Sequence, residues 1–235
     1  MNLPISKRLL ACCGCITPGD RVADIGCDHG YLGIHLLLNG IASSVIAADV
    51  REMPLQSAIR NAEKYDCREK MQFYLSDGAR KIPHDFDTLV CAGMGADTMI
   101  SILTAAPWLR SSRYKLVLQC QSKIHTLRQF LSVQGWHIED ESVLRDGRFL
   151  YTVMTVRFAP EAERLNAGGF YFSPALTAHQ EAETSEYFGR MLFSLRRALK
   201  HQQEKDPQMA LALQQLEALG DKLPWLKEVP YDDCK

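Results

Sequence analysis

A short stretch near the start of the chain, ADIGCDHGYLGIHL at residues 23–36, combines a glycine turn with side chains that could do chemistry. Gly26 and Gly30 stand between two apolar runs, an order typical of a strand, a tight turn and a helix. Backbone N–H groups at the start of such a helix face a bound ligand. Between the glycines lie Asp28 and His29, a carboxylate and an imidazole, where many nucleotide-binding loops carry a further glycine.

The carboxylate of Asp28 favours one class of cofactor over another. A dinucleotide loop reads G-x-G-x-x-G, so that the pyrophosphate lies against bare backbone. Here the spacing is Gly26-x-x-x-Gly30, and the carboxylate of Asp28 would repel a pyrophosphate. The same carboxylate would tolerate S-adenosylmethionine, which carries a positive sulfonium and a positive α-amino group. The charge therefore favours a methyl donor over NAD.

Two further acidic residues stand where predicted strands end. Asp49 follows Gly26 by 23 residues, a spacing at which an acidic residue usually binds ribose hydroxyls. Asp77 ends the third strand and is placed to meet an adenine amino group. The simpler alternative is that Asp24 or Asp28 caps a turn or helix and that the other two only terminate strands. Because four such features occur in order at strand ends, we predict a nucleotide-type cofactor.

The elements that position these residues alternate between apolar strands and helices, which indicates a parallel sheet covered on both faces. Residues 136–158 then form two strand-like runs joined by Asp146–Gly147, a hairpin signal. A doubly wound α/β sheet that ends in an antiparallel hairpin is typical of class I (Rossmann-like) methyltransferases. We predict strands at 21–26, 43–50, 71–77, 86–95 and 114–120, and helices at 6–15, 31–38, 54–64, from 97 and at 125–135.

The pattern changes after residue 160, where prolines and paired glycines indicate a connection. From about 175 to 205 the apolar residues Phe188, Leu192, Leu195 and Leu199 have the spacing of a coiled-coil seam. Asp206–Pro207 predicts an N-cap and first-turn proline that start a second helix, folded back as an antiparallel hairpin. We therefore predict a methyltransferase domain at 1–160 and a C-terminal helical coiled-coil domain at 161–235.

The composition says less than the motifs about the partners and the location of the protein. The 235 residues carry a formal net charge of −1, which neither indicates nor excludes a polyanionic partner. There is no run of about 18 apolar residues and no apolar signal-peptide core, so we expect a cytoplasmic protein without a membrane span. Cys12 and Cys15 have a C-x-x-C spacing, but no second pair follows. We expect the eight cysteines to be mostly small buried hydrophobes and expect no metal.

Four segments together resemble a known family. They are LPISKRL, ADIGCDHGYL, CAGMGADTM and LVLQ, in this order and followed by a predicted helical hairpin. They are similar to the pattern of the bacterial tRNA (adenine-22-N1)-methyltransferase family, usually called TrmK, by motif over residues 3 to about 158 and by architecture beyond. The resemblance implies transfer of a methyl group from S-adenosylmethionine to N1 of adenine 22 in the tRNA D-arm.

The resemblance and the strand-end pattern together predict two groups of site residues. Catalytic roles are expected for Asp28, His29, Tyr31 and Gln121. Cofactor-binding roles are expected for Asp24, Gly26, Cys27, Asp49, Val50, Asp77, Gly78, Gly93, Met94 and Gly95. Three positions depart from the family pattern: Cys27 replaces a small hydroxyl residue, Ala96 replaces a second glycine, and Cys120–Gln121 replaces Pro-Asn.

The expected chemistry needs no base before attack, because N1 of neutral adenine has a free lone pair. The protein must expose N1 and align it with the methyl group. A carboxylate near the base edge, predicted to be Asp28, would stabilise the cationic product ring or accept a proton from N6. His29 and Tyr31 would orient or stack the base. The segment AGMG at 92–95 stands where N6-adenine methyltransferases carry D/N-P-P-Y/F/W, which disfavours N6 methylation.

Contact with RNA is expected from basic clusters rather than from the total charge. His125 and Arg128, after the fifth strand, could reach phosphate or only decorate their helix. The clusters contain Lys7, Arg8, Arg190, Arg196, Arg197, Lys200 and Lys205, although the last five could also form an ordinary solvated coiled-coil face. The partner is then the D-arm region of tRNA, and we expect a monomer, with a dimer as the alternative. Two other functions stay open: a methyltransferase for a small molecule or protein, and a non-catalytic tRNA-binding adaptor.

Overall fold

The core of the molecule is a seven-stranded sheet in the order β3-β2-β1-β4-β5-β7-β6. The computed structural model describes residues 3–201 and 206–228; Lys205 and Cys234 lie outside these ranges. The strands are β1 Arg21–Ile25, β2 Ser44–Asp49, β3 Met71–Leu75, β4 Thr88–Met94, β5 Lys115–Cys120, β6 Trp136–Asp146 and β7 Phe149–Phe158. The helices are α1 Lys7–Gly14, α2 Tyr31–Leu38, α3 Glu52–Lys64, α4 Ala96–Ala105, α5 Ile124–Val133, α6 Ala167–Tyr171, α7 Ala182–His201 and α8 Pro207–Lys222.

The predicted doubly wound sheet and its closing hairpin are confirmed. Strands β1 to β5 are parallel, and β7 lies antiparallel between β5 and β6. The apolar strands bury side chains on both faces. One face packs α4 and α5 through residues such as Met99 and Leu127, and the other packs α1, α2 and α3 through residues such as Cys12 and Leu32. Burial on both faces explains why the strands lack polar–apolar alternation.

The region after the hairpin differs from the connection predicted there. A short helix, α6, is capped by Asn166, whose side chain accepts a hydrogen bond from Gly169 N at 2.8 Å. A 3-10 helix at Pro174–Ala178 follows, and α7 begins at Ala182 rather than near 175. Five-residue helices are too short to show a 3.6-residue periodicity, so the sequence pattern did not indicate α6.

The predicted start of the second C-terminal helix is confirmed. The Asp206 side chain accepts from Gln208 N at 2.9 Å and Met209 N at 3.3 Å, and Pro207 occupies the first turn of α8. The seam residues Phe188, Leu192, Leu195 and Leu199 are all buried. The first three pack in one cluster with Phe172, Leu176 and Leu216, so α7 packs on the 166–178 segment as well as on α8. The coiled-coil character and the boundary at residue 160 stay predictions.

A fully buried ion pair links the sheet side of the molecule to the C-terminal segment. Arg128 of α5 pairs with Glu141 of β6 at 2.6 Å, and both side chains are 0% exposed. Glu141 also accepts from Ser173 Oγ at 2.6 Å, and Arg128 donates to Tyr171 O at 2.7 Å and to Tyr187 Oη at 3.3 Å. The pKa of Arg128 is raised, since pairing outweighs burial. The prediction that Arg128 could reach phosphate is therefore wrong, because the side chain is enclosed.

The cysteines behave as predicted small buried residues. Of those described, all except Cys15 are buried, and burial raises the pKa of the Cys13 thiol to about 12. Within residues 3–201 and 206–228, no group of three or more His, Cys, Asp or Glu side chains is arranged to hold a metal ion. No helix in the described part of the chain is both long and apolar enough to cross a membrane.

Candidate functional site

A cavity of about 760 Å³ opens at the carboxyl ends of the parallel strands. In open α/β sheets ligands bind at this edge, where the strand order reverses, here between β1 and β4. The cavity brings together most of the predicted site residues. Those that line it are Arg8, Asp24, Gly26, Cys27, Asp28, Asp49, Val50, Asp77, Gly78, Gly93, Met94 and Gln121.

The turn after β1 keeps its backbone bare. Gly26 has φ +74°, and a Cβ atom there would overlap the Cε of Met94 across the cavity. Its N–H donates to Ala48 O at 2.7 Å, which fixes the turn against β2. Gly30, at φ +72°, begins α2, and a Cβ there would lie 3.0 Å from that of Ala58. Glycine at both positions therefore lets the loop close over α3 and lets a ligand approach the backbone.

Asp28 adopts a left-handed backbone conformation, with φ +49°. Its N–H donates to Asp49 Oδ2 at 3.1 Å, while its carboxylate, 59% exposed, lies 3.8 Å from His29 Nε2. The N-cap of α2 is Gly30, and among the described residues the Asp28 carboxylate accepts no hydrogen bond from that helix. The alternative that the Asp28 side chain caps the following helix is therefore wrong, and Asp28 instead lines the cavity with a largely exposed side chain.

Asp24 is a buried carboxyl group that forms no ion pair with any described residue. It is only 4% exposed, and its Oδ2 atom has no hydrogen-bond partner among the described residues. Burial, reinforced by the charges of Asp49 and Asp28, raises its pKa from 3.8 to about 7. Three carboxyl groups thus converge at one end of the cavity. The arrangement favours a ligand that brings positive charge.

Asp49 holds the loops that frame this end of the cavity. Its Oδ2 accepts from Asp28 N, and its Oδ1 accepts from Arg51 N at 2.9 Å. The side chain is 5% exposed, so it is nearly enclosed by these contacts. Asp77, in contrast, is 67% exposed and lies 3.4 Å from Arg80 Nη1. The ribose and adenine contacts predicted for Asp49 and Asp77 stay predictions.

The opposite wall is built by the irregular end of β4. Gly93, with φ +79°, falls where the β4–β5 register shifts between Ala92 and Met94. Its N–H donates to Oε1 of the fully buried Gln119 at 3.0 Å, and Arg8 Nη1 donates to the same oxygen at 3.4 Å. Gln121 N donates to Met94 O at 2.8 Å. The segment with Cys120–Gln121 is thus tied to β4 by its backbone, without a proline.

Three of the predicted catalytic and cofactor-binding residues lie outside the lining. His29 and Tyr31 stand beside Asp28 with ring centroids 5.9 Å apart and rings tilted by 37°. Gly95 is the N-cap of α4, and a Cβ there would lie 2.8 Å from Ser122 Oγ, so it allows close packing. Their predicted roles at the site stay predictions.

Several residues of the site were not predicted. Gln119 is a polar residue that follows the apolar run Leu116–Leu118 in β5, which is the signal that could have indicated it. Asp97, Thr98 and Ser101 share one side of α4 and follow a glycine turn. The unpredicted polar residues in the lining are Arg51, Ser76, Asp97, Thr98 and Ser101.

The predicted basic residues divide into two groups. Lys7 is exposed, whereas Arg8 lines the cavity, with its Nε 3.3 Å from Asp146 Oδ2. On α7, Arg190 Nη2 lies 2.7 Å from Glu186 Oε1. The guanidinium of Arg196 lies 2.8 Å from Glu217 of α8. The cationic surface of α7 is thus partly neutralised, and its exposed cations include Arg197 and Lys200.

Comparison with known proteins gives consistent results. A family model described as a methyltransferase domain matches residues 5–154. The tRNA (adenine(22)-N(1))-methyltransferase of Bacillus subtilis (strain 168) is 28% identical over 239 residues, which cover 97% of this chain and 98% of the relative.

Solved structures extend the likeness to the whole chain. The crystal structure of the B. subtilis m1A22 tRNA methyltransferase TrmK is 26% identical, with a TM-score of 0.77 over 97% of this chain and 99% of that one. A Streptococcus pneumoniae protein in complex with S-adenosyl-L-methionine is 28% identical, with a TM-score of 0.79 over 92% of this chain and 99% of that one. The resemblance predicted from four sequence motifs is confirmed.

Proposed function

The chain belongs to the methyltransferase domain family, and from this we propose that it transfers a methyl group from S-adenosylmethionine to N1 of adenine 22 in tRNA. The observation that carries the proposal is the likeness to the B. subtilis enzyme of that name, which covers 97% of this chain and includes its C-terminal helices. We also propose that the chain contacts the D-arm of the tRNA, that it acts as a monomer, and that it lies in the cytoplasm, where tRNA is processed.

The residues present fit this cofactor. The unpartnered Oδ2 of Asp24, beside the buried Asp49, would attract a positive group of the cofactor, while the carboxylate of Asp28 is assigned to the target base. The bare turn at Gly26 leaves room for close approach to the backbone. When bound, S-adenosylmethionine supplies a methyl group on a positively charged sulfur. A pyrophosphate would meet the same carboxylates unfavourably, which disfavours a dinucleotide.

The chain's own residues then have two tasks at the target base. They must hold the base unstacked with N1 directed into the cavity, for which Gln121, Gly93 and the neighbouring rings of His29 and Tyr31 are available. They must also stabilise the positive charge that methylation places on the ring. The Asp28 carboxylate does this directly, or accepts a proton from N6.

The test compares Asp28→Asn with the wild type. The assay measures methyl transfer to two tRNA transcripts that differ only in adenine or guanine at position 22, followed by nucleoside analysis. We expect 1-methyladenosine from the adenine transcript alone, and at least a hundred-fold slower transfer by Asp28→Asn with S-adenosylmethionine binding retained. Asp66→Asn is a matched control, because Asp66 is exposed and has a similar left-handed backbone, with φ +56°. Full activity of Asp28→Asn would show that the Asp28 carboxylate does not stabilise the methylated base.

The two alternatives predict different results. Methylation of free nucleosides or of proteins, with both transcripts unmodified, would select the small-molecule or protein methyltransferase. Binding of S-adenosylmethionine and tRNA with no transfer would select the adaptor. The Cys120–Gln121 departure from Pro-Asn is the feature that favours the adaptor. Against it, Gln121 still lines the cavity, on a backbone held by Met94 O.

A further inference from the structure

The turn between β6 and β7 projects beyond the edge of the sheet that carries the cavity. The antiparallel register pairs Lys115 with Arg157 and Leu118 with Met154. Extrapolated by two residues, it places Cys120, the last residue of β5, level with residue 152. Phe149 lies three residues further along β7, roughly 10 Å past the end of β5 at about 3.4 Å per residue. The turn therefore stands beside the mouth of the cavity.

This turn exposes an aromatic ring and a cation together. Phe149 is 50% exposed. Of the other large apolar side chains that are exposed in residues 3–201 and 206–228, none is aromatic. The guanidinium of Arg148 lies 4.9 Å from the centroid of its ring. Arg148 is exposed and forms no ion pair with any described residue, unlike Arg145, which pairs with Glu186. Phe149 and Arg148 thus remain available to a partner.

The turn is connected to the cavity through Arg8. The Arg8 side chain lines the cavity, pairs with Asp146 at the end of β6 and lies 5.2 Å from the ring centroid of Tyr151 in β7. Lys7, the preceding residue on α1, is exposed. Arg148 and Phe149 therefore form one surface, here named the hairpin surface, which continues through Arg8 into the wall of the catalytic cavity, with the exposed Lys7 next to Arg8 in α1.

We propose that the hairpin surface is an RNA contact: Phe149 stacks on an unpaired base next to the target adenine, and Arg148 and Lys7 bind adjacent phosphates. The inference rests on the proposed function. An adenine that enters the cavity leaves its neighbour in the RNA without a stacking partner. An exposed aromatic ring flanked by unpaired cations is what binds single-stranded nucleic acid. A protein partner would not need the excess of cations, so the charge favours RNA.

The experiment uses the full chain and two substitutions, Phe149→Ala and Arg148→Gln. Leu38→Ala is the matched control for the first, because Leu38 is 53% exposed at the end of α2, which runs away from the carboxyl edge. Arg164→Gln is the control for the second, because Arg164 is exposed and lines a separate cavity with His137, at the other end of β6. The measurements are kcat and KM for tRNA, tRNA affinity across a salt series, and S-adenosylmethionine affinity.

We expect Phe149→Ala to lower kcat/KM for tRNA roughly 5- to 150-fold, which corresponds to the loss of one base–aromatic stack. Arg148→Gln should weaken tRNA binding and reduce the slope of log affinity against log salt by roughly 1. Both variants should bind S-adenosylmethionine as the wild type does, and both controls should leave tRNA binding unchanged.

Three results would overturn the inference, and they are distinguishable. If the wild type methylates tRNA and both variants match their controls, the hairpin surface is not an RNA contact, while the proposed function stands. If the wild type neither binds nor methylates tRNA, the proposed function fails and this inference fails with it. A change in sedimentation of Phe149→Ala, without a change in tRNA binding, would assign the surface to a second copy of the chain instead.

Discussion

Replacing Asp24 with asparagine should change how the stability of the ligand-free protein depends on pH. The Asp24 carboxyl group has a pKa of about 7 in the folded protein, against an ordinary value of 3.8, chiefly because it is buried. A carboxyl group whose pKa is raised by folding stabilises the folded state at low pH, where it is neutral in both states. This contribution is lost as the pH rises through about 7.

The magnitude follows from the two pKa values. Their difference corresponds to about 4 kcal/mol when the group is ionised in both the folded and the unfolded state. Between about pH 5 and pH 8 the folded group ionises, while the unfolded group is already mostly ionised. Over this interval the Asp24 contribution to the free energy of unfolding should fall by about 2–3 kcal/mol. Asp24→Asn has no such group and should not show this fall.

The assay is urea unfolding of both proteins without cofactor at several pH values between about 5 and 8. The quantity of interest is the difference in free energy of unfolding between variant and wild type, because the other titrating groups largely cancel. We expect Asp24→Asn to gain about 2–3 kcal/mol relative to the wild type as the pH rises, and to bind S-adenosylmethionine more weakly. A difference that stays constant with pH would refute the argument that Asp24 is buried without a partner.

Two further predictions concern the stability of the fold. Glu141→Gln should destabilise the protein by about 3–5 kcal/mol in urea unfolding, because it leaves the enclosed Arg128 charge without its partner. Asp85→Asn, which removes one partner of an exposed pair with Arg21, should change stability by less than about 1 kcal/mol, and equal effects of the two would contradict this view. Asp206→Ala should cost about 1 kcal/mol through loss of the α8 cap, and Asp206→Asn should restore most of it.

The sequence predicted the sheet well because its strands are buried on both faces and are separated by clear turn residues. The segments around Val22, Val90 and Val117 are nearly continuous apolar runs, a pattern that few other structures produce. The region from 160 to 181 was predicted poorly for the opposite reason. Its helix α6 has five residues, and its packing depends on Phe172 and Leu176 meeting Phe188 from a distant helix. Such long-range contacts leave no local period in the sequence.

The site could be predicted in part. The acidic residues at strand ends could be found, because parallel strands bring their carboxyl ends to one edge. The left-handed conformation of Asp28 and the contact of its N–H with Asp49 could not, since they depend on how two loops meet. Arg128 was misread because an arginine on an amphipathic helix usually faces solvent. That the Arg128 side chain is enclosed follows only from its pairing with Glu141 on β6.

The buried pair also bears on what size of substrate the molecule suits. Arg128 and Glu141 bind Ser173 and Tyr187, and Arg145 near the hairpin turn pairs with Glu186 of α7. These contacts fix α7 relative to the carboxyl edge of the sheet. A small substrate would occupy only the cavity of about 760 Å³ and would not contact the hairpin turn or α7. A tRNA is large enough to place one base in the cavity and to reach the hairpin turn and α7 with its backbone. The fixed arrangement of the cavity, the hairpin turn and α7 therefore favours a macromolecular substrate.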